Sequence, residues 1–259
     1  MSEVSLLSKQ EIIDKLQAIS GNWYPNARHG NDGGVGNTLE DILGIAENNL
    51  PIPNAAEWEL KSQRANGTSL LTMFHMEPSP RAAKIVPKIL LPSLGWDHKG
   101  AGTTYSAAEK SFRMTISAAR YTDRGFSLRL NSDEQKLEVI FDPNMVSDTH
   151  KEWLRGVSLP IPVVPYWGYR DLEHKAGSKI LNCFYVVAET RKEDGHEYYK
   201  YSSAIMLKDF SFSRFLARIE SGDIFVDFDA RTGHNHGTKF RVYAGSFPQL
   251  FDVQIQIVP

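Results

Sequence analysis

A chain of 259 residues, 41% hydrophobic and 23% charged, is long enough for one large domain or two closely packed lobes with a proper core. A net charge of −2 excludes a uniformly basic nucleic-acid binder but not a local basic cleft, because binding depends on where the charge sits. The polar start MSEVSLLSKQ does not fit a signal peptide, no apolar window of about 18 residues suggests a membrane span, and the single cysteine excludes an internal disulfide and suits a reducing cytoplasm.

Ser8 and Glu11 form a capping box, and Ile12, Ile13, Leu16 and Ile19 make the apolar stripe of a first helix. After a glycine-rich turn, a second helix opens near Asn37 or Thr38, either of which can cap it. Its stripe is Leu39, Ile42, Leu43 and Ala46, and Glu40 at the edge of that stripe can turn its carboxylate inward. Pro51 and Pro53 end any helix and lead extended into WELKSQ. Alternation there puts Glu57, Glu59, Lys61 and Gln63 on one face and Trp58 and Leu60 on the other. Strands follow at SLLTMFH, SFRMTISAA, GFSLRL and KLEVIFD, the last three forming an antiparallel meander. THKEWLRG is a short helix, and LPIPVVPYWGY an irregular connector whose Tyr166, Trp167 and Tyr169 pack the lobe. KILNCFYVVAET is a long central strand covered on both sides, with Cys183 as a packing residue and Lys179 at its start as a candidate second lysine. SFSRFLARIESG is a helix closed by Gly222, DIFVDFDAR a strand, and RTGHNHGTKFRVY a glycine-punctuated turn with a strand after it. The elements interleave without a strict βαβ rhythm, which gives a mixed α/β (α+β) chain.

Three segments, HGNDGGVGNTLEDILG, ENNLPIPN and EWELKSQR, bring Glu40, Asn54, Glu59 and Lys61 into line at spacings of 14, 5 and 2. Groups at i and i+2 on one strand face stand about 6.5–7 Å apart, which leaves room for a metal ion and a water. A lone E-x-K is common on solvent-facing sheets. Here apolar neighbours, two prolines and a glycine turn surround it. Phosphodiester hydrolysis asks for such a set, since Mg²⁺ takes carboxylate oxygens and a nearby cation aligns water and offsets charge at phosphorus. Asn54 stands where a second acidic residue belongs.

Near the C-terminus, DFDARTGHNHGTKFRVY gathers Arg231, His234, His236, Lys239 and Arg241 around two glycines. Such a turn can enter a major groove, where arginine reads guanine and histidine donates or accepts at base edges. Asp227 and Asp229 can accept from cytosine or orient the arginines. Two rival readings are a solvated hairpin tip and a zinc pair at His234 and His236, the latter lacking further ligands at a familiar spacing. Arg64, Arg81, Lys84 and Lys88 are phosphate contacts or solvated charges. Lys99 with Gly100 and Gly102 suggests a clamp loop.

GVGNTLEDILGIAENNLPIPN, followed by EWELKSQR and SLLTMF, resembles the MvaI/BcnI family of Type II restriction endonucleases. It is more distantly similar to the mismatch-repair nickase MutH, within the PD-(D/E)-x-K nuclease superfamily. The resemblance is concentrated in residues 30–80 and returns near 225–245. It implies a restriction-endonuclease-like core in which two lobes form a DNA-binding cleft. The catalytic lobe would span approximately residues 1–95 with part of 170–220, and the recognition lobe approximately 96–165 and 221–259. It implies Mg²⁺, with Mn²⁺ or Ca²⁺ substituting in binding. Glu40 would be the helix-borne acid, Glu59 a metal ligand, Lys61 the catalytic lysine, and Asn54 would occupy the first aspartate position of the motif. HNHGTKFR would read bases through His234, His236 and Arg241, with Arg231, Lys239 and Arg64 also at the DNA. The partner would be double-stranded DNA with a short, C/G-flanked pseudo-palindromic site, cut by a monomer with no membrane association. Three accounts of Asn54 stand open: a substitution that traps intact DNA, a native residue compensated by Glu40 or Glu57, or a homologue that binds without cutting. The alternative functions are accordingly a MutH-like repair nickase and a sequence-specific DNA-binding protein without cleavage.

Overall fold

Residues 7–26, 33–45, 58–161 and 163–259 are described by a computed structural model. They fall into two compact units, one made of Met1–Leu71, Ala176–Arg214 and Tyr243–Pro259, the other of Thr72–Lys175 and Phe215–Val242. Ala46, Pro51, Pro53, Asn54 and Glu57 lie outside the described residues.

In the first unit the helix Lys9–Ile19 starts as its sequence dictates. The Ser8 N–H donates to Glu11 Oε2 at 2.8 Å and the Glu11 N–H to Ser8 Oγ at 3.3 Å. This satisfies two donors that the first turn leaves orphaned. Ile12, Leu16 and Ile19 are buried beneath it. The second helix spans Gly34–Leu43, so Asn37 and Thr38 lie inside it, and Gly33 precedes it without a side-chain cap. Packing explains the earlier start. A Cβ on Gly34 would stand 2.6 Å from Tyr199 Oη, a clash, and one on Gly36 3.3 Å from Ser62 Oγ, a tight contact, so the glycines let the helix lie close to the sheet.

That sheet has five strands. The strand Glu59–Arg64 forms its edge, paired parallel with the central strand Cys183–Glu193. The long strand His196–Phe210 follows, antiparallel, and carries Trp23–Pro25 and Phe251–Val258 along its far side. Phe184, Val186 and Ala188 join Trp58 and Leu60 in one core with the two helices. The central strand is thus covered as its apolar run predicts. Its first four expected residues differ, since the strand starts only at Cys183. Lys179 and Ile180 end the helix Tyr169–Ile180, so Lys179 stands in a last helical turn and not on the strand. Leu172, Ala176 and Ile180 recur at four-residue spacing and are fully buried, a helical stripe that the neighbouring proline-rich segment obscures.

The second unit holds a sheet in the order Leu71–His75, Lys239–Val242, Ile224–Arg231, Lys110–Ile116, Trp96–Asp97, with His234–Asn235 folded back on Ile224–Arg231. A separate three-stranded sheet comprises Arg124–Asn131, Lys136–Val146 and Tyr166–Gly168. The expected three-strand meander is therefore only two strands. Lys110–Ile116 leaves it to pair with Ile224–Arg231, where Phe112 meets Phe228 with ring centroids 5.4 Å apart. Alternation fixes which face of a strand is apolar but not which distant strand covers it. Trp167 is fully buried, donates from Nε1 to the Met76 carbonyl at 3.0 Å and packs edge-on against Phe240, in keeping with a packing role. Gly222 closes the helix Phe212–Glu220 at φ +82°. Among the described residues no helix is long and apolar enough to cross a membrane.

Candidate active site

Glu59 and Lys61 project from one face of the edge strand, and their side chains meet: Lys61 Nζ donates to Glu59 Oε1 at 2.7 Å. The two residues are separated along the strand, but the long lysine stem folds back to close the gap, so an ion pair fills the space that strand rise alone would leave for a metal and water. Glu59 is 6% exposed, and its Oε2 is buried with no hydrogen-bond partner among the described residues. Buried carboxylate oxygens are seldom left without a donor or a cation. That orphaned oxygen fits a metal ligand. Among the described residues no three His, Cys, Asp or Glu side chains gather to hold a metal.

Register fixes the floor of the site. Glu59 lies beside Cys183 and Lys61 beside Tyr185, which places Cys183 and Tyr185 on the same sheet face. Burial pushes the Cys183 thiol far up, with Lys61 opposing and Glu59 adding to the shift, so it stays protonated and inert. Burial likewise raises Tyr185, whose hydroxyl donates to the Ala244 carbonyl at 3.3 Å.

Leu60, Ser62 and Arg64 point to the other face, toward the helix Gly34–Leu43. Gly34 lies at Tyr199 and Gly36 at Ser62, so this helix packs on the sheet face opposite Glu59 and Lys61, and Glu40 on it is half-buried. Arg64 stays on this face, away from Glu59 and Lys61. Its Nη2 donates to Glu197 Oε1 at 3.3 Å, to Glu197 Oε2 at 3.2 Å and to Tyr199 Oη at 3.1 Å. Burial opposes its charge, but Glu197 and Tyr199 more than compensate and hold its pKa above the ordinary value. Tyr199 donates to Glu197 Oε2 at 2.6 Å, and burial together with that carboxylate pushes its phenol up to about 12.

The second group of candidates lies in the other unit. His234 and His236 are exposed at the hairpin tip, their rings edge-to-face at 4.2 Å. Lys239 pairs with Asp229 at 3.4 Å and Arg241 with Asp227 at 3.3 Å, while Arg113 also holds Asp229 at 2.7 Å. The aspartates thus orient the cations, one of the two roles open to them. Arg231 turns toward the loop before the strand Lys110–Ile116. Its Nη1 donates to the buried Glu109 at 2.9 Å and its guanidinium lies 4.7 Å from the Tyr105 ring centre. Two residues at this tip escaped the sequence reading, Glu77 and Glu109. Each is an isolated acid outside any motif or stripe, and only the tertiary fold brings it to the turn.

The profile of the MvaI/BcnI restriction endonuclease family matches residues 13–251. No curated protein sequence matches the chain. A solved structure of restriction endonuclease MvaI in complex with its cognate DNA substrate is similar at TM-score 0.75, with 26% identity over 97% of this chain and 100% of that one. MvaI in the absence of DNA is similar in fold at TM-score 0.55, with 23% identity and 100% of both chains covered. The mixed α/β fold with three sheets is that of MvaI, and the chain belongs to the MvaI/BcnI restriction endonuclease family, a family of phosphodiester hydrolases.

Proposed function

We propose that this protein is a Type II site-specific endonuclease that hydrolyses double-stranded DNA at a short, C/G-flanked pseudo-palindromic site, with Glu59 and Lys61 at its hydrolytic centre. The observation that carries this reading is the buried Oε2 of Glu59, without a donor among the described residues, beside an ammonium held on Oε1 at 2.7 Å. The solved MvaI relative, crystallised with its cognate DNA substrate, supports DNA as the partner. In this reading the first unit is the catalytic lobe and the second the recognition lobe.

Glu59, Asn54 and Glu40 would hold a divalent cation, Mg²⁺ in hydrolysis, with Mn²⁺ or Ca²⁺ able to take its place in binding. The bound ion supplies Lewis-acid polarisation and lowers the pKa of water. The chain's own residues do the rest. Lys61 keeps one N–H on Glu59 Oε1, which fixes the ammonium, and its other two are available to orient a water or to offset charge on a non-bridging phosphate oxygen. Cys183 and Tyr185 form an uncharged floor that offers no competing nucleophile. His234, His236 and Arg241 read bases, with Arg231 and Lys239 beside them, and Arg64 braces the catalytic strand from behind.

Asn54 favours a second reading, a DNA-binding protein that cuts slowly or not at all. An amide oxygen can ligate Mg²⁺ but brings no charge. Plasmid DNA incubated in Mg²⁺ with this chain and with its Asn54→Asp form tests both. Discrete fragments from the Asp form and slow cutting by the Asn form are expected. If neither form cuts any DNA, methylated or unmethylated, the endonuclease reading fails.

A further inference from the structure

The C-terminal side of the histidine turn is held from outside its own hairpin by the carboxylate of Glu77. Glu77 follows the strand Leu71–His75, and the Met76 N–H just before it donates to the Thr238 carbonyl at 2.9 Å. Glu77 Oε1 accepts from the Thr238 N–H at 2.9 Å and from the Asn235 amide at 3.4 Å, and Oε2 accepts from Thr238 Oγ1 at 3.3 Å. Thr238 is 1% exposed, so water cannot take over these bonds. Two further N–H groups of the turn are taken within the hairpin, and that of Thr232 is held by the Lys110 carbonyl at 3.0 Å. His236 N–H donates to the Asp229 carbonyl at 2.9 Å and Gly237 N–H to Asn235 Oδ1 at 3.1 Å. Gly237 stands at φ +85°, a conformation that favours glycine, so the backbone has little freedom once those donors are held. The two imidazoles stand exposed on either side of the anchored Asn235.

We propose that Glu77 is the positioning residue of the base-reading turn: its carboxylate locks the backbone from Asn235 to Thr238 and so sets the two imidazoles in place. This inference rests on the base-reading role given above to His234 and His236. A carboxylate suits the task because three donors converge on it and it has only acceptor sites to offer. A glutamine there still meets the Thr238 N–H through its amide oxygen, but it brings an NH₂ group among donors. Glu77 belongs to the second unit and the Glu59–Lys61 pair to the first, so its effect falls on discrimination between sites and not on the hydrolytic step.

The test uses the full chain and Ca²⁺ in place of Mg²⁺. A randomised duplex pool defines the preferred site, and affinities are then measured for that duplex and for duplexes altered at one base pair each. The His234→Ala/His236→Ala double variant should lose discrimination at particular base pairs. Glu77→Gln should lose about tenfold at those same pairs, with affinity for unrelated DNA unchanged. Thr238→Val, which removes only the hydroxyl contact, should show a smaller loss at the same pairs and decides the matter if Glu77→Gln does not fold. If the histidine variant loses discrimination while Glu77→Gln and Thr238→Val keep it, the positioning role is wrong and base reading stands. A uniform loss across all base pairs that tracks a lower melting temperature also overturns it, since that is the mark of a merely structural residue. Should the histidine variant itself keep full discrimination, the base-reading role fails and this proposal falls with it.

Discussion

At Lys61 a flexible stem turns a position two residues away into a contact at 2.7 Å, so the ammonium stands against the carboxylate it would assist. Lys61→Ala should slow DNA cleavage by about 10²–10³-fold while leaving DNA affinity nearly unchanged, as single-turnover rates beside binding isotherms would reveal. An equal loss in both would assign the lysine to binding. Arg64 makes a different prediction because it faces the helix. Glu197→Gln leaves that guanidinium half-buried beside a neutral amide and should destabilise the protein by about 1–3 kcal/mol with no change in base discrimination, read by denaturant unfolding and binding. The pH dependence follows. Burial tends to raise the Glu197 carboxyl, but Tyr199 and Arg64 overcome this and hold it below the ordinary value of 4.5. Its stabilising share is therefore present above that value and disappears as pH falls through the depressed folded one. Tyr199 acts at the alkaline end. Its folded pKa of about 12 exceeds the ordinary 10.0, so stability is lost as pH rises between them. Melting temperatures across pH should show both limbs in the native chain and a shallower acid limb in Glu197→Gln.

Elements show where local signals suffice. The capping box at Ser8, the period-two run through Glu59 and Lys61, and the glycine stop at Gly222 all act within a few residues, and each is legible in the sequence. Gly222 also illustrates what is not. A Cβ there would stand 2.4 Å from Ala119 Cβ, a contact with a residue about a hundred positions earlier in the chain, besides the strain of φ +82°. Gly222→Ala should thus cost more than the about 1 kcal/mol usual for a helix-terminal glycine, measured by thermal unfolding. The early start of the helix Gly34–Leu43 has the same cause. Asn37 and Thr38 are good caps by type, yet close packing on Tyr199 and Ser62 draws the glycines before them into the helix. The helix Tyr169–Ile180, the strand partners of Lys110–Ile116 and the acids Glu77 and Glu109 also depend on distant contacts. Acidic residues isolated in sequence carry no periodicity to betray them.

For the molecule as a whole the net charge is a near-neutral −2, and the sheet carrying the histidine turn holds Asp227 and Asp229 in ion pairs with Lys239, Arg241 and Arg113. Binding to DNA should accordingly fall with added salt, since phosphate contacts release counterions. The protein should sediment as a single chain both free and on a duplex; a dimer would remove the expectation of a monomer. The central claim is that Glu59 and Lys61 form a hydrolytic centre. Its most direct test is plasmid cleavage in Mg²⁺ by the Asn54→Asp chain and by the same chain carrying Glu59→Gln. Discrete fragments from the first and at least about a hundredfold slower cutting by the second, with DNA binding retained, are predicted. Equal cutting by both would contradict the claim and move the chemistry elsewhere.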